Sequence, residues 1–224
     1  MSNWNGLVSL LFTCIEALLL VNVLIFAQNN KVNKLSMLII FLLMLYQLFE
    51  FLICGLDLNE HVFAYFAFSV ITFLPPLSLI LVLSFFNLYK KRINLIFILS
   101  IGFIAYYGFT ISHFEILKCT PLYAAYNYPL GDLFGAYYYS PILISIIILI
   151  IKTNGLGDKE KIKLAKFLLF GFLFILFPVT LAFILLIFHN HFLVNIIESV
   201  MCKFALVFAI CLSYFSIRYK IKAE

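Results

Sequence analysis

The hydrophobic residues form seven long, nearly uninterrupted stretches, and short polar segments separate them. A bilayer core of about 30 Å needs roughly 20 apolar residues in a helix, so each stretch is long enough to cross a membrane. The runs lack the alternation of apolar and polar residues that a barrel strand requires, and they therefore predict helices. The fold class predicted is all-α, a seven-transmembrane-helix bundle. Its spans are expected at residues 6–27, 36–56, 62–88, 94–115, 136–152, 166–188 and 193–216.

The composition excludes a water-soluble globular protein. Of the 224 residues, 65% are hydrophobic and 11% are charged, whereas soluble proteins average roughly 45–50% and about 25%. Since no polar stretch is long enough for a separate soluble domain, residues 1–224 are expected to form a single integral membrane domain with the lipid bilayer as its surroundings. Pro75 and Pro76 in the third span predict a kink or a break in the helix, because proline lacks an amide donor, and Pro178 lies at a similar depth in the sixth.

Basic residues indicate how the chain is oriented in the membrane. Of 15 lysines and arginines, 13 lie in alternate connections and in the C-terminal tail: Lys31, Lys34, Lys90, Lys91, Arg92, Lys152, Lys159, Lys161, Lys163, Lys166, Arg218, Lys220 and Lys222. The positive-inside rule then predicts an outer N-terminus and a cytoplasmic C-terminus. Because these charges lie in connections between spans rather than along one face, the net charge of +5 does not indicate a nucleic-acid partner.

Four ionisable residues lie inside the predicted spans, where each costs roughly 2.5–3.5 kcal/mol to insert. Counted from the outer ends at 1.5 Å per residue, Glu16 and Lys203 are about 15 Å deep, whereas Glu50 and Glu198 are about 8 or 9 Å deep. Such groups usually face the interior of a helix bundle and pair with one another.

Helical phase adds polar neighbours to these charges. Gln47 shares a face with Glu50, and Ser199 shares one with Lys203. We expect spans 1, 2 and 7 to meet around a polar cavity open toward the outer side, with Lys203 neutralised by Glu16, Glu50 or both. The alternative interpretation is that these groups only hold helices together. The predicted ligand- or ion-binding residues are Glu16, Gln47, Glu50, Glu198, Ser199 and Lys203.

Other candidate ligands lie near the predicted outer face. The four histidines are His61, His113, His189 and His191. They could supply metal ligands only if their loops converge, and a solvated position at the interface is the alternative. Cys54 and Cys119 are expected at the same face and would bridge in an oxidising compartment. The tyrosine-rich segment 116–135 is expected to lie along the outer headgroup layer.

Two short segments resemble known proteins. Tyr46-Gln47-Leu48-Phe49-Glu50-Phe51 in span 2 and Ser199-Val200-Met201-Cys202 in span 7 resemble an uncharacterised family of small bacterial polytopic membrane proteins. That resemblance implies the bacterial inner (plasma) membrane. The lysine in the middle of span 7 and Phe174-Ile-Leu-Phe177-Pro178 in span 6 resemble the retinal-binding rhodopsins. This second resemblance implies retinal as a cofactor on Lys203, with Glu16 or Glu50 as its counterion.

Three hypotheses about function follow from these observations. The first is a small-solute or ion transporter or channel-like protein, with Lys203 binding an anionic group and the glutamates binding protons or cations. The second is a ligand-sensing or accessory membrane subunit that contacts a protein partner through the cytoplasmic loop 153–165. The third is a rhodopsin-like photoreceptor or pump. The chain has no hydrolase triad order, phosphate-binding loop or paired metal motif, so an enzyme is not predicted.

Overall fold

The structure, a computed structural model, describes residues 5–58, 61–121, 124–187 and 191–220. For residues 115, 127, 132, 179, 182–187 and 191–202 it describes the backbone only. The described chain is mostly helical, with a two-stranded sheet between α5 and α6. The elements in chain order are α1 Leu7–Phe26, α2 Lys31–Gly55, α3 His61–Thr72, α4 Leu74–Phe85, α5 Ile96–Phe109, β1 Glu115–Cys119, β2 Ala124–Asn127, α6 Gly131–Thr153, α7 Lys159–Ile187 and α8 His191–Arg218.

Among the described residues, five helical segments are long and apolar enough to cross a membrane. They are Leu7–Phe26, Lys31–Gly55, His61–Phe85, Lys91–Phe109 and Leu133–Thr153, of 19 to 25 residues each. A helix of this length matches the thickness of a bilayer core. The prediction of a helical integral membrane protein is therefore confirmed.

Several helices begin earlier than hydropathy predicted. α2 begins at Lys31 rather than 36, and α7 begins at Lys159 rather than 166. Hydropathy marks only the part of a helix that lies in lipid, and polar residues continue the same helix beyond it. Asn30 fixes the start of α2, because its side chain accepts a hydrogen bond from the Asn33 amide at 2.9 Å.

The third predicted span is broken into two helices, as its prolines predicted. α3 and α4 are separated by Phe73, and Pro76 has no N–H to donate to the carbonyl of Thr72 four residues earlier. The Tyr137 hydroxyl of α6 donates to that carbonyl at 2.8 Å. Ser100 of α5 lies 2.6 Å from the same hydroxyl. A side chain from another helix therefore satisfies the carbonyl that proline leaves free. The proline of the sixth predicted span, Pro178, lies inside α7.

The hydrophobic core lies around α4, which is buried along its whole length. α2, α6, α7 and α8 contribute most of the remaining residues of the core, and α1 contributes Val23. Gly171 lets α7 approach α8 closely, because a Cβ atom there would lie 2.9 Å from the Phe208 ring and 3.0 Å from the Cys211 Cβ. α1 lies at the periphery and buries only Ser9, Glu16 and Val23. These three positions are seven residues apart and form one stripe toward the other helices.

The described chain is mostly helical as predicted, but Glu115–Cys119 and Ala124–Asn127 pair as an antiparallel β-hairpin that the sequence analysis did not predict. The fourth span ends at Phe109 rather than 115. The hairpin joins the ends of two helices: Cys119 forms a disulfide with Cys54 of α2, and the Gly6 and Val8 amides donate to Thr120 and Pro121 at 3.2 and 3.3 Å. We call this the hairpin end of the bundle. The opposite end, where α1 joins α2 and α6 joins α7, is the lysine-rich end.

Candidate functional site

A buried ion pair joins three helices near the hairpin end. The Lys203 Nζ of α8 lies 2.8 Å from Oε2 of Glu50 on α2. The same ammonium donates to the Ser9 hydroxyl of α1 and to Oε1 of Gln47, each at 2.8 Å. An ammonium has three hydrogens, so these three acceptors satisfy it completely. The Phe12 ring centroid lies 5.7 Å from Nζ, within the range of a cation–π contact.

Each helix brings its polar residues here through its own periodicity. Ser9 lies on the single buried stripe of α1, and Gln47 and Glu50 lie almost one turn apart on a buried face of α2. Lys203 is 8% exposed, whereas Ser9, Gln47 and Glu50 are at most 1% exposed. Burial of this degree removes most of the screening by water and strengthens the attraction between the charges.

The hairpin covers the ion pair. The Ala124 amide of β2 donates to Oε1 of Glu50 at 3.0 Å, and the Ser9 hydroxyl also hydrogen-bonds this carboxylate. The disulfide between Cys54 and Cys119 fixes the hairpin to α2 one turn beyond Glu50. The described residues therefore do not form the cavity open toward the outer side that the sequence predicted, because a strand lies where an open entrance was expected.

Glu16 differs from Glu50 although both are buried acidic residues. It is 0% exposed, and within the described residues neither of its carboxylate oxygens has a hydrogen-bond partner. The Lys203 charge acts on it only through space. The sequence predicted that Glu16, Glu50 or both would neutralise Lys203. Although Glu16 matches Lys203 in depth, the long lysine side chain reaches Glu50 and the hydrogen-bond acceptors beside it. A carboxylate buried without donors is unstable as an anion, so Glu16 is suited to hold a proton.

Some predicted site residues lie outside this cluster or outside the described residues. Glu198 and Ser199 belong to α8, and the structure describes only their backbone. Ser9, Phe12 and the Ala124 amide were missing from the predicted set. Ser9 could have been included from its spacing, since it lies two turns before Glu16 on the same stripe. The contribution of Ala124 depends on a strand that the sequence did not predict.

The histidines do not converge within the described residues. The ring of His61 contacts the Phe114 carbonyl oxygen, and His113 is exposed. His189 lies outside the described residues, as does the side chain of His191. The described ranges contain no group of three His, Cys, Asp or Glu side chains placed to hold a metal ion.

The hypothesis that Lys203 carries retinal remains a prediction. Glu50 lies at the distance that a Schiff-base counterion requires. The ammonium nevertheless donates all three of its hydrogens to protein acceptors. The cavity bordered by Ala205 and Phe208 measures about 30 Å³, which is space for one or two water molecules. This cavity is too small for retinal.

No protein-family model matches the chain, and no curated protein or solved structure is similar enough to it to indicate a relationship. Both resemblances described from short segments stay predictions. The chemistry of the site is therefore argued from its geometry alone.

Proposed function

We propose that this protein is a transporter for a small solute or ion, with its site at Lys203, Glu50 and Glu16. The proposal includes seven spans, with α7 and α8 added to the five apolar segments, an outer N-terminus and a cytoplasmic C-terminus in a bacterial inner membrane. The distribution of 13 basic residues supports this orientation. The disulfide at the hairpin end also supports it, because disulfides persist in oxidising compartments outside the cytoplasm.

The observation that carries the proposal is the carboxyl group of Glu16, which has no hydrogen-bond partner among the described residues and lies beside a complete ion pair. Lys203 and Glu50 neutralise each other, so a purely structural cross-link between helices would not need a second acidic group. An additional intramembrane carboxyl group is costly to insert, and such groups typically mark ion pathways or proton relays. Glu16 has no hydrogen-bond partner within the described part of the chain that would explain it as a packing residue.

The arrangement gives Lys203 two alternative carboxylate partners. While Glu16 holds a proton, the ammonium pairs with Glu50 under the hairpin. Loss of that proton creates a second negative charge and draws the ammonium toward Glu16. Ser9, Gln47 and Glu50 would then be free to bind a cation or a solute that carries hydrogen-bond donors. Movement of one ammonium between two carboxylates would couple proton transfer to opening of the site.

Flux through reconstituted protein tests the proposal. Proteoliposomes with an imposed pH gradient would be supplied with small anions, cations and amino acids, and solute uptake and internal pH would be measured together. We expect Lys203→Ala and Glu50→Gln to abolish uptake, and Glu16→Gln to uncouple it from proton movement. Glu160→Gln, an exposed acidic position on α7, is the matched control and should behave as wild type. Equal flux in all variants and in protein-free liposomes would overturn the proposal.

A second candidate is a ligand-sensing or accessory subunit without transport, with a partner at loop 153–165. The covered ion pair favours it, because the hairpin is cross-linked over Glu50. The two candidates differ in the accessibility of Ser9. A cysteine at this position, with the other free cysteines replaced, should react with hydrophilic thiol reagents in a transporter that opens. It should stay unreactive from both sides in a sealed subunit.

A further inference from the structure

A pocket lies at the lysine-rich end, far from the ion pair. It measures about 280 Å³, close to the lower end of the roughly 300–1,000 Å³ range of ligand pockets. The start of α2, the end of α4, the segment after α4 and the end of α8 converge to form it. Its lining residues are Lys31, Val32, Ser84, Asn87, Tyr89 and Tyr219.

The described charges in the segments that form this pocket are all positive. Residues 28–34, 84–92 and 218–220 contain seven lysines and arginines and no aspartate or glutamate. Lys31 contributes an ammonium, held 3.0 Å from the centroid of the Tyr89 ring. The N-terminus of α2, a helix of 25 residues, adds the positive end of its dipole at the same place. These features favour an anion.

A buried hydroxyl in the pocket wall gives an independent indication of a ligand. Ser84 is 8% exposed, and within the described residues its Oγ has no hydrogen-bond partner. Buried polar groups are normally paired, so this hydroxyl lacks the acceptor that a bound anion would supply. Burial also raises the pKa of Tyr219, which keeps its phenol protonated and able to donate.

The pocket is already formed in the folded chain. α4 ends in a Schellman motif, in which the Leu88 amide donates to the Leu83 carbonyl at 2.7 Å and the Asn87 amide donates to Ser84 at 3.2 Å. Asn87 takes the left-handed conformation that this motif requires, with φ of 58°. On the other side, Asn33 of α2 donates to the Tyr219 carbonyl at 3.3 Å. Backbone hydrogen bonds thus fix one wall, and a side-chain hydrogen bond to the backbone fixes the other.

We propose that this pocket binds a phosphate ester, through Lys31, the N-terminus of α2 and the Ser84 hydroxyl. A lipid headgroup and a soluble phosphate ester share this chemistry. The pocket lies where the helices leave the apolar part of the bundle, so both sources can reach it. The inference is independent of the transport proposal, since it concerns the opposite end of the molecule.

Native mass spectrometry of the full chain in detergent tests the proposal. The probes are a short-chain phosphatidylglycerol, glycerol 3-phosphate and, as a zwitterionic control, a short-chain phosphatidylcholine. Retention of the anionic lipid alone would support the site and identify a headgroup, whereas retention of glycerol 3-phosphate would support it and identify a soluble ester. Retention of neither anionic probe, or equal retention of phosphatidylcholine, would overturn it.

Two substitutions separate binding from folding. Lys31→Gln should weaken binding by about fivefold or more, because it removes the cation of the pocket. Lys34→Gln changes an exposed lysine on the same helix that does not line the pocket, and should bind as wild type. Ser84→Ala removes a hydroxyl that has no partner to lose, so it should weaken binding and leave the thermal midpoint unchanged. Wild-type affinity in both Lys31→Gln and Ser84→Ala would overturn the assignment.

Discussion

Replacing Lys203 alone should destabilise the protein more than replacing it together with Glu50. Lys203→Met removes the ammonium at similar volume and leaves the Glu50 carboxylate 1% exposed, with the Ala124 amide and the Ser9 hydroxyl as its donors among the described residues. Glu50→Gln leaves the ammonium with neutral hydrogen-bond acceptors, and Glu16 then acts on it only through space. Each single variant therefore buries one charge without a charged group hydrogen-bonded to it.

The size of the effect follows from the desolvation of the remaining charge. Removing one partner of a buried ion pair costs about 3–5 kcal/mol, whereas replacing both partners by groups of similar volume is close to neutral. Glu50 keeps two donors when Lys203 is replaced, so we place that variant near the lower limit, at about 3 kcal/mol. For a chain of this length, about 3 kcal/mol corresponds to a fall of roughly 6–12 °C in the thermal midpoint. The double variant should lie within a few degrees of wild type.

Circular dichroism melts at one scan rate and in one detergent would measure these midpoints, since membrane proteins often unfold irreversibly. Lys166→Met, an exposed lysine on α7, is the matched control and should shift the midpoint by no more than about 1–2 °C. If Lys203→Met melted with this control, the buried charge would not govern stability. If the double variant lost the sum of the two single losses, the groups would not be coupled.

Three further substitutions test the packing described above. Changing Cys54 and Cys119 together to serine should lower the free energy of unfolding by about 4 kcal/mol in the chain-entropy model. Hydrogen exchange at the hairpin amides should accelerate, and unchanged exchange would show that the disulfide does not hold the hairpin in place. Tyr137→Phe should cost about 1–3 kcal/mol in a melt, because the Thr72 carbonyl loses its donor, and a wild-type midpoint would show that this carbonyl needs none. Gly171→Val should cost about 1–3 kcal/mol by forcing α7 away from α8, and a stabilised variant would contradict the close approach.

Hydropathy predicted the helices well because lipid favours apolar side chains and a fully hydrogen-bonded backbone along the whole length of a span. It predicted their starts poorly, as at Lys31 and Lys159, because polar residues outside lipid also continue helices. Proline positions predicted distortion in the third span. The Tyr137 hydroxyl, which donates to the Thr72 carbonyl at the break, lies more than 60 residues away in the sequence, and no local pattern could identify it.

The candidate site was only partly predictable for a similar reason. Two patterns were enough to identify Lys203, Glu50, Gln47 and Glu16: charged residues are rare inside membrane spans, and polar residues about one turn apart share a helix face. Depth counting paired Lys203 with Glu16, since it compares backbone positions and ignores the length of a lysine side chain. The hairpin was missed because alternation over four or five residues is a weak pattern, and because this hairpin is held by a disulfide and by contacts with α1 that are distant in sequence.

The bond between Cys54 and Cys119 closes a covalent ring that contains α3, α4 and α5. The chain leaves the hairpin end through α3 and α4 and comes back to it through α5, so the two sulfurs can meet only when both of these passages are complete. If the cysteines oxidise during synthesis, formation of the disulfide would therefore show that α3, α4 and α5 have all been inserted. In a nascent chain arrested before α5 has emerged, Cys54 and Cys119 should not be joined. In a chain arrested after the hairpin, neither of these two cysteines should have a free thiol.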